Sequence, residues 1–351
     1  MTSTVTAYSP ADLPADVAQH DLVHPAGPDR RWRESYYFSF YDTRHGIGGF
    51  SSIGRRVATG HSGSVNVLWG PDRHSLVASE WDSFEKLENH THVAGMTYSS
   101  QQPFGDWRLE FDGKLNDGGD GVECDHAALG PVAKSAADSV DVSYDLTFTP
   151  THPPYVYKED SRWSELFTGH VDEVGLVKGT ITIDGTTIEI DGRGGKDHSW
   201  GVRNWFAPDD WRWIDLVSDT GPEVAMWRAH LGGWIGDGAV FTAPAGGGAV
   251  FTDPASGDER AIVGYTETVR TSPRRDVPGK PIPTGLSAEI TTGSGVHQLE
   301  GTVVRVLPVL FDRRTDGTLQ RSWNDRSLLS TTVDGHPGWA NVEFAGRVEN
   351  P

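Results

Sequence analysis

Hydrophobic and polar residues alternate with a period of two along much of the chain, which predicts β-strands rather than helices. Residues 140–149 (VDVSYDLTFT) are the clearest case, because their apolar and polar side chains alternate without a break. Residues 180–190 hold two such runs on either side of Asp184-Gly185, a residue pair typical of a tight hairpin turn. Further Asp-Gly pairs predict turns at 112–113, 191–192, 316–317 and 334–335.

Helical signals are sparse. Ser9 and Pro10 fit the cap and first position of one short N-terminal helix, and residues 83–89 predict one more helical turn. Residues 46–49 (GIGG) favour a loop between strands, since no GxGxxG or Walker motif opens a helix. The pattern therefore predicts a mainly β protein of antiparallel barrels or sandwiches, and it disfavours a doubly wound α/β sheet.

The 351 residues suffice for two domains, each with its own core. We place the predicted boundary between residues 195 and 196, which gives one domain over 1–195 and a second over 196–351. The 13 tryptophans supply large flat side chains for cores and ligand cavities alike.

The formal net charge of −19 argues against a nucleic-acid partner, because phosphate binding needs a basic surface. A single cysteine, Cys124, excludes an intrachain disulfide and a cysteine-based zinc cluster. Residues 1–19 lack the features of a signal peptide, and no stretch is apolar enough to span a membrane. We therefore expect a cytoplasmic protein without membrane insertion and without a nucleotide cofactor; the oligomeric state is left open.

Candidate chemistry is densest in residues 191–205 (DGRGGKDHSWGVRNW). Glycines at 192, 194, 195 and 201 allow close backbone approach or positive φ. In a strand, Asp197 faces one way and both His198 and Trp200 the other. A carboxylate beside an imidazole offers a proton donor and a partner that orients it. Arg203 is a candidate partner of Asp197 or of an anionic group, although the same residues could equally satisfy a buried turn.

This segment, read as G-x-G-G-K-D-H-S-W-G-V-R-N-W, resembles the G-x-G-x-R-D-H-S-W-G-x-R-x-W signature of the AttH-like and carotenoid 1,2-hydratase (hydroxyneurosporene synthase) superfamily. Residues 32–40 and 46–50 resemble the N-terminal segment of these proteins, and residues 107–113 resemble a later strand. The resemblance extends from about Trp32 to Trp213. It implies two lipocalin-like domains with a ligand cavity near their junction, and relatives that include hydratases and cyclases.

The resemblance maps the histidine and tryptophan used by the hydratases onto His198 and Trp200. It also implies an acidic residue on a following strand, where this chain reads AMWR at 225–228. That departure either speaks against hydratase activity or moves the acid to Asp197 or Asp215. Lys196 replaces the usual arginine, which keeps the charge and loses planar bidentate recognition.

Other candidates are weaker. Tyr36 lies in an aromatic strand that favours core packing, and its hydroxyl is a candidate contact to a substrate oxygen. Glu34 in the same strand is a spare carboxylate, expected to be solvated. His90 and His92 share a strand face, which is weak evidence for a metal site with His45, His61 or Glu80, so no metal is predicted. Further expected cavity walls are Trp205, Trp211, Trp227, Arg228 and His230.

Together these observations favour a cofactor-free acid–base enzyme of hydratase, dehydratase or isomerase type acting on a hydrophobic, isoprenoid-like or polyene small molecule. Asp197, His198 and Arg203 are the predicted catalytic residues. Two alternatives stay open: a non-catalytic carrier or sensor of a hydrophobic ligand, and a cyclase that acts through the shape of its cavity.

Overall fold

The computed structural model describes residues 10–70, 75–83, 90–117, 139–157, 164–231, 249–253, 258–273, 281–293, 295–315 and 317–348. The chain divides into two compact units, and among the described residues the first ends at Arg203 and the second begins at Asn204. Both units are built from antiparallel strands, which confirms the predicted mainly β class. The predicted boundary after residue 195 falls within a strand of the first unit.

The first unit opens with short helical segments, which confirm the predicted N-terminal helical start: 3-10 helices at Pro10–Asp12 and Gln19–Asp21 flank the helix α1, Ala15–Ala18. A third 3-10 turn spans Val57–Thr59. Its strands are β1 (Trp32–Asp42), β2 (Ile47–Arg56), β3 (His61–Trp69), β4 (Leu76–Ser83), β5 (His90–Val93), β6 (Met96–Ser100), β7 (Trp107–Asp117), β8 (Ser139–Pro150), β9 (Tyr155–Val156), β10 (Gly169–Ile183) and β11 (Thr186–Val202).

These strands form one sheet in the order β4-β3-β2-β1-β11-β10-β8-β7-β6-β5, with β9 beside β10. Strand β4 also pairs with β7, so eight of the strands close into a ring. Apolar side chains fill its interior, because every second residue of each strand points inward. The largest buried members of this core include Tyr36, Trp107, Tyr98, Phe148 and Ile181.

The second unit is a closed barrel of eight strands in sequence order. They are β12 (Asp210–Val217), β13 (Glu223–His230), β14 (Ala249–Asp253), β15 (Asp258–Ser272), β16 (Ile282–Thr292), β17 (Gly295–Thr315), β18 (Thr318–Val333) and β19 (His336–Val348). Its core is separate from that of the first unit and includes Ile214, Met226, Tyr265, Leu286 and Phe344.

The turn predictions were partly right. Asp184 and Gly185 adopt φ values of 47° and 77° and join β10 to β11, and Asp334-Gly335 forms an equivalent turn. The turns predicted at 112–113 and 191–192 were wrong, because both pairs lie inside strands. Gly192 belongs to the strand for a packing reason: a Cβ there would lie 2.4 Å from the carbonyl oxygen of Tyr41 on β1.

The loop predicted at 46–49 was also wrong beyond its first residue. The turn ends at Gly46, and β2 begins at Ile47. Of the helical turn predicted at 83–89, Ser83 lies in β4 and residues 84–89 lie outside the described residues, as does Cys124. No helix in the described part of the chain is long and apolar enough to cross a bilayer.

Candidate functional site

The motif strand β11 lies between β1 and β10, and its two faces carry two different polar clusters. His198 pairs in register with Tyr36 on β1 and with Val171 on β10, and these side chains share the inner face of the ring. Asp197 pairs with Tyr37 and Asp172 on the outer face. The predicted alternation is therefore present, and it separates Asp197 from His198.

The imidazole of His198 is fully buried and is held at both nitrogens. Its Nδ1 donates to the carbonyl oxygen of His20 at 2.9 Å, and its Nε2 lies 3.2 Å from Oε1 of Glu34. Both contacts are with hydrogen-bond acceptors, so the doubly protonated ring satisfies both. The ring also stacks on Tyr36, with centroids 4.1 Å apart and planes 15° apart. This geometry suits a positively charged imidazolium.

Glu34 takes the position that the sequence assigned to Asp197, as the carboxylate that orients His198. Its side chain is completely buried, contrary to the solvated state expected for it. Oε1 accepts hydrogen bonds from His198 and from His24, whose backbone N–H and Nδ1 lie at 2.9 and 2.8 Å. Burial opposes ionisation, but these hydrogen bonds outweigh it and lower the pKa of Glu34. Glu34 is thus a buried carboxylate that holds its charge.

Residues 20–24 cover this cluster from the N-terminal side. The carbonyl of His20 meets His198, and the carbonyl of Asp21 accepts a hydrogen bond from the Tyr36 hydroxyl at 3.0 Å. The ring of His24 stacks on Trp200 at 3.6 Å and 9°. Tyr36 and Trp200, both predicted to contact substrate, therefore lie beside His198. Residues 20–24 contact the hydroxyl of Tyr36 and the ring of Trp200.

A buried ion cluster lies next to His198 on the inner face. Nζ of Lys196 lies 2.5 Å from Oδ1 of Asp21 and also contacts Oε2 of Glu173. All three side chains are 4% exposed or less. Lys196 also faces the rings of Phe104 and Trp107, at 5.0 and 5.3 Å from their centroids. The aromatic walls of this region thus already contact one positive charge.

Glu173 gives the stability of the fold a testable pH dependence. Burial raises its pKa from the ordinary 4.5 to about 7, because it outweighs the attraction of Lys196, and the nearby Asp21 adds to the rise. Between pH 4.5 and 7, the folded state therefore keeps a proton on Glu173 that the unfolded state has released. This contribution to stability is lost as the pH rises. We expect the difference in free energy of unfolding, wild type minus Glu173→Gln, to fall between pH 4.5 and 7 in urea titrations. The exposed Glu189→Gln variant should keep the wild-type pH profile; a flat difference for Glu173→Gln would contradict the assignment.

The indole of Trp200 packs directly against Gly169 on β10. A Cβ at this glycine would lie 2.1 Å from Cζ2 of Trp200, so Gly169→Ala must displace the ring. We expect a loss of about 1–3 kcal/mol of stability, as for other overpacked cores, and a changed near-ultraviolet circular dichroism signal. Gly293→Ala is the control, because no atom lies within 4 Å of a Cβ there. An unchanged spectrum in Gly169→Ala would contradict this packing.

The outer face of β11 carries a second cluster around Asp197. Nε2 of His170 lies 3.0 Å from Oδ1 of Asp172 and 3.6 Å from Oδ2 of Asp197. The hydroxyl of Tyr157 donates to Oδ2 of Asp172. Burial disfavours the charged form of His170, but Asp197 and Asp172 outweigh it and raise the pKa of this imidazole. Arg203, predicted as a partner of Asp197, donates to Oγ of Ser199 at 2.6 Å.

Two groups among the described residues have donor atoms close enough to hold a metal ion. One is His24, Glu34 and His198 on the inner face, and the other is His170, Asp172 and Asp197 on the outer face. Neither contains His92, whose Nδ1 is instead 2.7 Å from Oγ1 of Thr97. The side chain of His90 lies outside the described residues.

The remaining predicted residues belong to the second unit and not to the first-unit cluster around His198. The indole of Trp205 stacks on Phe311 with centroids 5.3 Å apart and also lies beside Trp211, whose Nε1 donates to Glu343 at 2.9 Å. Trp227 is buried on β13, and Asp215, the alternative acid, is buried on β12.

The two predicted basic residues of β13 also have partners in this unit. Arg228 donates to Glu267, which also binds Arg212. Nδ1 of His230 lies 2.8 Å from Oδ2 of Asp210. Their side chains therefore contact carboxylates of the second unit.

Sequence reasoning missed the role of Glu34 and did not consider His24, His170 or Asp172. A signal for Glu34 was present, because it has the same alternation phase as Tyr36 and Phe38 in an aromatic strand. A carboxylate in that phase is buried and needs a partner. His170 and Asp172 likewise share one face of β10, a strand rich in valine.

The comparisons with known proteins agree with this fold. A family model described as Domain of unknown function (DUF7064) matches residues 17–348, and no curated protein matches the chain significantly. An AttH-like protein from Nitrosomonas europaea has 14% identity and a TM-score of 0.58 over 92% of this chain and 95% of that one. Kievitone hydratase from Nectria haematococca has 13% identity and a TM-score of 0.54 over 99% and 97%. CghA bound to Sch210972 has 10% sequence identity and a TM-score of 0.54, over 91% of this chain and 89% of that one. These similarities confirm the predicted AttH-like, double lipocalin-like fold.

Proposed function

The chain belongs to the DUF7064 family, and we propose that its first unit is an acid–base enzyme of the hydratase or dehydratase type, in which His198 transfers the proton and Glu34 orients it. The observation that carries this proposal is the arrangement of the two imidazole nitrogens of His198. One faces a buried carboxylate and the other faces a backbone carbonyl. A histidine whose far nitrogen is held by a carboxylate can give and regain a proton at the near nitrogen.

The carbonyl of His20 marks where the reacting atom would lie, since it accepts the Nδ1 proton in the present arrangement. When residues 20–24 move aside, a substrate double bond can take that position. The Nδ1 proton then passes to one alkene carbon and the C=C π pair forms the new C–H bond, which leaves a cation on the other carbon. Water adds to the cation and returns a proton to Nδ1, so alkene and water give the alcohol and the imidazolium is restored.

Aromatic rings support a positively charged intermediate at this position. Tyr36 stacks on His198, and Trp200 lies 5.1 Å from it between ring centroids. A ring facing a desolvated cation contributes about 2 kcal/mol. The same apolar walls favour a hydrophobic substrate such as an isoprenoid or a polyene, and the likeness to kievitone hydratase supports a hydration reaction. The proposed chemistry requires no cofactor.

The test is an assay of the purified protein in ¹⁸O-labelled water with unsaturated terpenoids, their tertiary alcohols and polyenes, followed by mass spectrometry. Label in an alcohol product, lost in His198→Gln, is the expected result. Label that persists in His198→Gln and disappears in Asp197→Asn would move the acid to the outer face. Turnover without label would favour isomerisation or cyclisation, and recovery of an unchanged bound compound would favour the carrier alternative.

A further inference from the structure

The acid–base proposal leaves the outer face of β11 unused, although it carries a compact set of metal-binding side chains. We propose that His170, Asp172 and Asp197 form a binding site for a divalent transition-metal ion, with Zn²⁺ as the first probe. The site lies on the face opposite His198 and does not depend on the acid–base proposal.

The spacing of the donor atoms fits a metal ion. Nε2 of His170 lies 3.0 Å from one oxygen of Asp172 and 3.6 Å from one oxygen of Asp197, and all three ligand atoms lie within 4.8 Å of one another. Ligands about 2.0–2.2 Å from a tetrahedral zinc ion are separated by about 3.3–3.6 Å. The observed distances bracket this value, so small side-chain rotations bring the three atoms to bonding distance.

The charges also call for a cation at this point. Asp172 and Asp197 lie directly opposite each other on paired strands, where like charges repel. Nε2 of His170 lies within 3.6 Å of a carboxylate oxygen from each of them. With His170 as a neutral ligand, the two carboxylates balance the two charges of a bound dication.

The surroundings hold the ligands in place and leave one side accessible. Tyr157 donates to Oδ2 of Asp172, which leaves Oδ1 directed towards His170. The His170 ring packs edge-on against Tyr157 and Phe167, at 4.6 and 5.4 Å between centroids. The Asp197 side chain is 18% exposed, so an ion and its remaining water ligands can enter from that side. Residues that hold the metal ligands in place without binding the ion typically change the metal affinity by about 10- to 100-fold.

The experiment is isothermal titration of the chelator-treated protein with ZnCl₂. We expect one ion per chain, an affinity at least about tenfold lower in Asp172→Asn and in Asp197→Asn, and a smaller loss in Tyr157→Phe. Glu34→Gln is the matched control, because it removes a carboxylate from the inner His24–Glu34–His198 group and leaves the outer ligands intact. Its affinity should equal that of the wild type.

Three results would overturn the proposal: no binding by the wild-type protein, binding that survives Asp197→Asn, or binding that is lost in a folded Glu34→Gln protein and so belongs to the inner group. Asp172 is buried, so Asp172→Asn could fail to fold. Asp197→Asn changes a partly exposed side chain and decides the question by itself, with circular dichroism as the check of its fold. Titration with Co²⁺ adds a spectroscopic readout, since its visible absorption reports the ligand geometry directly.

Discussion

Replacing Glu34 by glutamine is expected to lower turnover by about 10²- to 10⁴-fold, the range typical of a lost acid–base contribution. Glutamine has nearly the same shape but no charge. The imidazolium form of His198 would then lose the carboxylate that lies 3.2 Å from its Nε2. Because the effect falls on the proton-transfer step, we expect kcat to fall and KM to change little. The measurement is steady-state kinetics on whichever substrate the labelled-water assay identifies.

The control for this substitution is Asp42→Asn. Asp42 is also fully buried and also contacts a histidine, with Oδ2 3.1 Å from Nδ1 of His45, but it lies at the turn between β1 and β2. Its substitution tests whether loss of any buried carboxylate–histidine pair in this unit reduces activity. Full activity of Glu34→Gln, or an equal loss in Asp42→Asn, would contradict a specific role for Glu34.

Replacing Lys196 by methionine is expected to cost about 3–5 kcal/mol of stability, the second large effect. The substitution leaves Asp21 and Glu173 buried without the ammonium group that both contact. It also removes one of the contacts that hold residues 20–24, since Asp21 binds Lys196 through one carboxylate oxygen and the backbone N–H of Phe104 through the other, at 2.6 Å. The free energy of unfolding in urea measures the effect.

Lys114→Met provides the comparison for Lys196. Lys114 contacts Asp141 at the same 2.5 Å, but both side chains are more than 60% exposed. An exposed ion pair of this kind contributes at most about 1 kcal/mol. Similar losses in the two variants would show that burial does not determine the effect. A triple variant, Lys196→Met with Asp21→Asn and Glu173→Gln, should recover part of the loss, since no unpaired charge stays buried.

Local pattern was enough to predict the strands, the β10–β11 hairpin and the opposite orientation of Asp197 and His198. It was not enough for the turns at 112–113 and 191–192. An Asp-Gly pair favours a turn, yet the neighbouring strand holds Gly192 in the sheet, where a larger residue would collide with Tyr41. Local propensity cannot report such contacts, because they depend on a strand about 150 residues away.

The candidate site was harder to predict for the same reason. His198 and Glu34 are 164 residues apart, and their contact depends on the register between β1 and β11. The contacts of His20 with His198 and of Asp21 with Tyr36 could not be inferred from side-chain chemistry, because backbone carbonyl oxygens make them. Motif resemblance identified His198 and Trp200, while their partners became evident only from the structure.

The position of residues 20–24 has a practical consequence for shortened versions of the protein. The first strand begins at Trp32, so an expression boundary drawn at the edge of the regular secondary structure would retain the whole sheet. Such a version would nevertheless lack the oxygen atoms that meet His198 and Tyr36, the carboxylate that meets Lys196 and the ring that covers Trp200. A loss of stability in such a product would then reflect where the gene was cut, and not the chemistry of the motif.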